Sequence, residues 1–342
     1  MKVVYVQEPG KISLVEQNIP APKSGEALLK VKYAGICGAD IATYTGNQPF
    51  TTYPRIPGHE FSAEIIEIPK NNLNLNVGDI VTANPYFNCG ECYSCKRGIV
   101  NACTTNQTMG VQRDGAFAEY ITMPIERIYK SRGLSAKTLA LVEPFTISYH
   151  AINRSNIKKG DKVIVLGAGA IGMFAMIAAK LKGAEVYICD TMDKRLEKAL
   201  ENGANGVINV KNENLIEKSM NITNGNGFDI CIEAVGQDKT FLDCIELAAF
   251  GADIILIGNG KKEVTFNHSI ILKKELNIFG SRNSLKKDFE DVIDILSNGS
   301  IDANNLISDI YPKEKALQAF EDMAHNDGSK MKSMIIFGGE ND

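Results

Sequence analysis

Residues 162–183 read KVIVLGAGAIGMFAMIAAKLKG. A short apolar run, KVIVLG, has the length and the β-branched content of a buried strand. AIGMFAMIAAKLKG then reads as a helix, and Gly167, Gly169 and Gly172 at the junction fall in the spacing G-x-G-x-x-G. That spacing is informative only between a strand and a helix, which is where it stands. Gly167 would permit the tight turn, Gly169 a close approach of backbone to a pyrophosphate at the helix N-terminus, and Gly172 close contact of helix and strand. Asp190 closes the next strand, EVYICD, eighteen residues after Gly172. A carboxylate there can hold both ribose hydroxyls of an adenosine and repels a 2′-phosphate, so NAD is expected over NADP. Arg195 lies close by; it is either a contact that accommodates such a phosphate or a solvated residue of the next helix. The expected cofactor-binding residues are Gly167, Gly169, Ala170, Ile171, Gly172, Asp190, Arg195, Val235 and Ile257. The alternative is a doubly wound fold that binds some other nucleotide.

Outward from this stretch the same rhythm continues. DKRLEKALENG, GVINV, FDICIEAVG, the helical DKTFLDCIELAAF, DIILIG and LNIFGS alternate helix and strand. Strands alternating with helices of ten or more residues predict a parallel, doubly wound α/β sheet. Before residue 150 the texture differs. Short alternating stretches such as EALLKVKYAG, EFSAEIIEI and FAEYITM are separated by the turn signals PAPKSG, NVGD and RDG. That predicts an irregular, mainly antiparallel β domain. After the sixth strand come two helices, KKDFEDVIDILSNG and KEKALQAFEDMAHN, and a strand, KSMIIFGG. These predict that the chain returns to complete the first domain. The expected boundaries are 1–146, 147–281 and 282–342.

Composition narrows the function classes. The chain has 342 residues, 44% hydrophobic and 23% charged, with a net charge of −4. The length suits two cores. The charge provides no basic field for nucleic acid. No apolar run is long enough to cross a bilayer, and the N-terminus has no signal-peptide h-region, so a cytoplasmic location is expected. In a reducing compartment clustered thiols are more often metal ligands than disulfides. Four of the eight cysteines, Cys89, Cys92, Cys95 and Cys103, are spaced C-x2-C-x2-C-x7-C. Four thiolates fill a tetrahedral zinc and leave no open position, so such a site would be structural, pinning a lobe at about 86–105. The alternative is a set of reactive or disulfide-bonded thiols.

Metal chemistry, if present, needs a second and open site. Cys37 in AGICGAD, His59 and Glu60 in PGHEFSAEI, and Glu143 in LVEPFTIS supply thiolate, imidazole and carboxylate. Three protein ligands with one open position form the catalytic zinc pattern. Each residue alone reads as ordinary core or surface.

Cys37, GHE at 58–60, the four-cysteine lobe, VGD at 77–79, EP at 143–144 and the glycine motif stand in the order found in zinc-dependent medium-chain dehydrogenases. EP resembles the polyol branch, which includes sorbitol dehydrogenase. GNQPF, YPRIPGHEF, GVQRDGAFAEY, EPFTISYHA and FGSRNS resemble bacterial sugar-acid dehydrogenases of the L-gulonate/L-galactonate 5-dehydrogenase kind and RspB-like starvation-sensing proteins. The resemblance covers essentially the whole chain. It implies a GroES-like catalytic domain beside the Rossmann domain, with two zinc ions and NAD. It implies that Cys37, His59 and Glu60 or Glu143 bind the catalytic zinc, one carboxylate often through water. It implies a nicotinamide beside that zinc in an interdomain cleft, and Arg282 of FGSRNS facing the substrate, where it would suit a sugar-acid carboxylate. An interface or surface arginine is the other reading of Arg282. A homodimer or homotetramer is expected, as in relatives.

The implied reaction takes hydride from a secondary alcohol of a polyol or sugar acid to NAD. One element is missing. Relatives read C-G-[ST]-D-x-H, where a hydroxyl and a histidine relay the alcohol proton; this chain reads CGADIATYTG, with Ala39 and Ala42 in those places. Neither side chain can carry a proton. Glu143 with water, Thr43 or Tyr44 could substitute. Otherwise the protein is a weakly catalytic or non-catalytic NAD-binding sensor. A simple alcohol or threonine dehydrogenase is a further alternative.

Overall fold

The computed structural model describes residues 1–338 and divides the chain into two compact units. One comprises Met1–Glu143 with the chain from Ser284 onward; the other is Pro144–Asn283.

In the second unit the strand Lys162–Leu166 lies centrally. The sheet order is Gly206–Asn209, Glu185–Asp190, Lys162–Leu166, Phe228–Glu233, Ala248–Leu256, Asn277–Gly280, and every pairing is parallel. This is the α/β doubly wound sheet the sequence predicts. Val163, Ile164, Val165 and Leu166 are buried, as a central parallel strand covered on both faces requires. The helix Ala170–Leu181 begins at Gly169, and Met173–Ala179 are all buried. The helix expected to run through Phe250 ends instead at Leu247, and the next strand begins at Ala248. That early start is irregular: the register slips between Phe228 and Ile230, with Gly251 at φ +80 on the partner strand.

In the first unit a seven-stranded sheet is mainly antiparallel, as predicted. Its path runs Ile307–Pro312, Lys332–Ile336, Glu26–Gly35, Glu60–Glu67, Ile80–Ala83, Ile128–Lys130, and Tyr120–Pro124 also pairs with Glu26–Gly35. The last strand enters this sheet antiparallel to Glu26–Gly35, with Met334 opposite Gly35. The core is built on Phe61, Phe117, Phe320, Leu29, Ile65 and Met123. Among the described residues no helix is long and apolar enough to cross a membrane.

Candidate active site

The strands Glu26–Gly35 and Glu60–Glu67 pair with Gly35 opposite Glu60. That register brings Cys37, two residues past the end of the first strand, beside His59 and Glu60 at the start of the second. Their ligating atoms all lie within 4.8 Å of one another, and His59 and Glu60 are buried. Asp40 braces the arrangement. It is fully buried at the third position of the helix Gly38–Tyr44 and accepts from Cys37 N at 2.8 Å and Gly58 N at 2.9 Å. One carboxylate thus ties the Cys37 loop to the His59 loop.

Glu143, in the first turn of the helix Val142–Asn153, is buried too, and Tyr86 Oη donates a hydrogen bond to its Oε1. Burial pushes the Glu143 carboxyl up to about 7; His59 pulls it back and Glu60 adds to the rise. Burial disfavours the charged form of His59, but the Cys37 sulfur and Asp40 outweigh it and carry the imidazole well above its ordinary pKa. Lys332, from the final strand, places Nζ 2.7 and 2.6 Å from the two oxygens of Glu60.

A metal fits this donor set. His59 Nδ1 is buried with no hydrogen-bond partner, and its nearest carboxylate oxygen, on Asp40, is 3.9 Å away. A thiol, an imidazole and carboxylates converge there, with Lys332 as the cation at Glu60.

The four-cysteine lobe passes the same test. The cysteines are free, and their sulfurs lie within 4.8 Å of one another. Cys103–Cys89 is 3.6 Å and Cys92–Cys103 is 3.9 Å. A tetrahedron with Zn–S of ~2.3 Å has edges of about 3.8 Å, so these separations suit one zinc and no disulfide. Backbone N–H groups of Glu91 and Cys92 point at the Cys89 sulfur, and Ser94 and backbone donors pull Cys92 down to about 5. Such donors favour thiolates.

In the second unit a cavity of ≈ 610 Å³ is lined by Gly167, Gly169, Asp190, Arg195, Val235 and Thr240 among others. Gly167 has φ +100, and a Cβ on Gly172 would run into the Gly167 carbonyl oxygen. Asp190 Oδ2 accepts from Ala168 N at 2.8 Å, and Arg195 Nη1 stands 3.5 Å from that same oxygen. Ala170 and Ile171 open the helix, and Ile257 N donates to the Glu233 carbonyl; none of the three lines the cavity. Arg282 is exposed just beyond Asn277–Gly280 and is not part of that lining.

Two polar residues of the metal cluster escaped sequence reading. Lys332 was hidden by distance, 272 residues from Glu60. Tyr86 carried only the weak signal of an aromatic residue just before the cysteine lobe. Thr43 and Tyr44, the expected substitutes for the relay, are occupied elsewhere. The Thr43 hydroxyl pairs with Thr51 at 3.1 Å, and the Tyr44 ring is buried against Phe320.

Two units, one carrying a thiol–imidazole–carboxylate cluster and a four-thiol lobe and the other a dinucleotide-type cavity, define a zinc-type nicotinamide dehydrogenase. The chain belongs to the zinc-binding dehydrogenases: residues 23–133 match the alcohol dehydrogenase GroES-like domain, and residues 170–298 match the zinc-binding dehydrogenase domain. It is 34% identical to the L-galactonate-5-dehydrogenase of Escherichia coli K12 over 98% of this chain and 99% of that protein. It is 36% identical to the starvation-sensing protein RspB of Escherichia coli K12, with the same coverage. The crystal structure of an alcohol dehydrogenase (rspB) from E. coli CFT073, complexed with the cofactor NADH, superposes with a TM-score of 0.92 at 33% identity, covering 98% of this chain and 99% of that one. The protein is thus a nicotinamide-dependent oxidoreductase of CH–OH groups.

Proposed function

We propose that the protein oxidises a secondary alcohol of a polyol or sugar acid of the L-gulonate/L-galactonate type, with NAD as the hydride acceptor. The observation that carries this reading is the cluster of half-buried Cys37 with buried His59 and Glu60, together with the buried Glu143. The similarity to an L-galactonate-5-dehydrogenase supports the substrate class.

Cys37, His59 and Glu60 or Glu143 would hold the catalytic zinc, and Cys89, Cys92, Cys95 and Cys103 the structural one. When bound, such a zinc would supply Lewis-acid polarisation of the substrate hydroxyl, and NAD would supply the hydride acceptor. The residues of the chain do the rest. Lys332 restrains the Glu60 carboxylate, and Asp40 keeps Cys37 and His59 in register. Glu143, with a carboxyl near 7, is poised to accept a proton at neutral pH. Tyr86 holds that carboxyl at Oε1. Asp190 would receive the adenosine ribose. Arg282 would bind the substrate carboxylate, and a homodimer or homotetramer is the proposed assembly.

A second reading rests on Ala39 and Ala42. Without the usual relay the protein would bind NAD and report on it rather than turn over. The test is NADH formation by zinc-replete protein with L-gulonate, L-galactonate, sorbitol, L-threonine and short alcohols. Turnover of an aldonate above the others supports the proposal. No turnover with any of them, together with tight NADH binding, supports the sensor.

A further inference from the structure

The strand Phe228–Glu233 ends on a carboxylate that, among the described residues, belongs to no metal cluster and no ion pair. Glu233 is buried. Its Oε1 accepts three hydrogen bonds: from Val235 N at 2.9 Å, Gly236 N at 2.8 Å and Thr240 Oγ1 at 2.7 Å. Its main-chain carbonyl accepts two more, from Ile257 N at 2.9 Å and Gly258 N at 3.0 Å. The following residue, Ala234, donates to the Leu166 carbonyl at 3.0 Å. Glu233 and its neighbour therefore stitch together the carboxyl ends of three adjacent strands, Lys162–Leu166, Phe228–Glu233 and Ala248–Leu256.

A buried carboxylate is costly unless hydrogen bonds replace its water. Here no cation does so among the described residues; two amides and a hydroxyl do. What those bonds fix is the segment 234–240. This segment supplies Ala234, Val235, Gln237, Lys239 and Thr240 to the wall of the ≈ 610 Å³ cavity, which Asp190 and Arg195 also line. Val235 is 43% exposed, an apolar side chain held out at the cavity. It also packs on the glycine turn: a Cβ on Gly167 would collide with Val235 Cγ2 at 2.6 Å. The other side of the carboxylate is equally tight. A Cβ on Gly258 would strike both Gly236 N and Glu233 Oε2.

We propose that Glu233 is a positioning residue for the dinucleotide: its carboxylate locks the Val235–Gly236 turn as one wall of the adenosine side of the cavity. This rests on the reading of the cavity as the nicotinamide-cofactor site. Glu233 acts through the turn, not by touching the ligand. Its contribution is pre-organisation. If the unlocked turn holds the binding geometry only a tenth of the time, the apparent Kd rises about tenfold with no ligand contact removed.

The experiment compares the parent with Glu233→Ala, Glu233→Gln, Thr240→Val and Gly258→Ala. NADH binding is followed by its fluorescence, ADP-ribose binding by calorimetry, and amide hydrogen exchange at Val235 and Gly236 in the ligand-free protein. Glu233→Ala and Gly258→Ala are expected to weaken NADH and ADP-ribose alike, by about tenfold, and to free both amides. Glu233→Gln keeps an acceptor oxygen and should stay within about threefold of the parent. Thr240→Val removes one donor of three, keeps the side-chain shape, and should fall between. Parent-like NADH binding by Glu233→Ala or Gly258→Ala, or unprotected amides in the parent, would overturn the inference while leaving the cofactor reading intact. Failure of the parent itself to bind NADH or ADP-ribose would sink the cofactor reading and this inference with it.

Discussion

Replacing Lys332 by Met should strongly destabilise the metal-free protein. Lys332 Nζ lies 2.7 and 2.6 Å from the Glu60 oxygens and 3.4 Å from the Ile36 carbonyl, and both side chains are buried. Burial works against the ammonium, but Glu60 and then Cys37 outweigh it, and its pKa lies above the ordinary lysine value. At 2.6–2.7 Å the two side chains form a buried ion pair. Removing one partner of a buried ion pair strands the other charge and costs about 3–5 kcal/mol. For a unit of this size 1 kcal/mol moves Tm by about 2–4 °C, so a fall of roughly 6–20 °C is expected. Met matches the length and apolar stem of Lys, which confines the effect to the lost charge. Two controls sharpen it. Lys332→Met combined with Glu60→Gln removes both charges and should recover most of the loss, since neighbouring sites are not additive. Zinc supplies positive charge beside Glu60, so the deficit should shrink in zinc-loaded protein. The assay is thermal and urea unfolding of chelator-treated and zinc-replete samples. A chelated Lys332→Met protein that melts within about 2 °C of its parent would refute the argument.

Other expectations concern metal, pH, cofactor and proton. Two zinc ions per chain are expected from two separate ligand groups; Cys92→Ser should mainly lower stability and Cys37→Ser mainly abolish turnover, and metal analysis with melting curves showing the reverse would overturn the assignment. In metal-free protein Asp40, Glu143 and His59 all have raised pKa values, with burial the first cause for the two acids and Cys37 and Asp40 outweighing burial for His59. These three groups make the folded state hold more protons than the unfolded one, while Cys92, held down to about 5, works the opposite way over the same window; three groups against one, so stability should fall as pH rises from about 5 to 8, and the surface acids with lowered values, Asp322, Glu213 and Glu314, are already ionised there. A metal-free protein whose Tm rises over that window contradicts this. NADP should be used far less efficiently than NAD, because a 2′-phosphate would meet Asp190, and Asp190→Ala should narrow the gap; equal kcat/KM for the two cofactors in the parent points to Arg195 instead. Restoring the usual groups by Ala39→Ser with Ala42→His should not be required for turnover, whereas Glu143→Gln should lower the rate by about 10²–10⁴-fold with zinc retained, and an unchanged rate excludes Glu143 from the proton path.

The fold was legible where local pattern and tertiary role coincide. VIVLG is apolar at every position because its strand is buried on both faces, and G-x-G-x-x-G marks a junction where backbone must pass backbone. Cysteine spacing announced a tetrahedral lobe for the same reason: four thiols within fifteen residues have few other uses. Lys332 and Tyr86 lacked any such local mark. A lysine in KSMIIF reads as a strand-edge charge until the register Met334 opposite Gly35 carries it towards Glu60. Tyr86 reads as one more apolar strand residue until the fold sets its hydroxyl on Glu143. Thr43 and Tyr44 failed in the opposite sense. Their hydroxyls stand near Cys37 in sequence, but the helix Gly38–Tyr44 turns both residues into the core.

That helix also explains how the relay positions can be empty without loss of the site. Asp40 and Ala39 are adjacent, yet their duties are separate. Asp40 is fully buried and its two oxygens tie the Cys37 and His59 loops together, so the metal cluster depends on it for its shape. Ala39 and Ala42 are half-buried and offer no polar side-chain atom, so the scaffold draws nothing from them but backbone. Alanine is the best helix former, and substituting it for a hydroxyl or an imidazole on this short helix does not weaken the fold. The geometry that binds a metal and the groups that move a proton are therefore independently variable in this loop. If the protein turns over, the proton has to leave through a group outside this helix, and the candidate is the Glu143–Tyr86 pair. Glu143 has a carboxyl near 7, and Tyr86 is fixed to it by a hydrogen bond that does not depend on the helix Gly38–Tyr44.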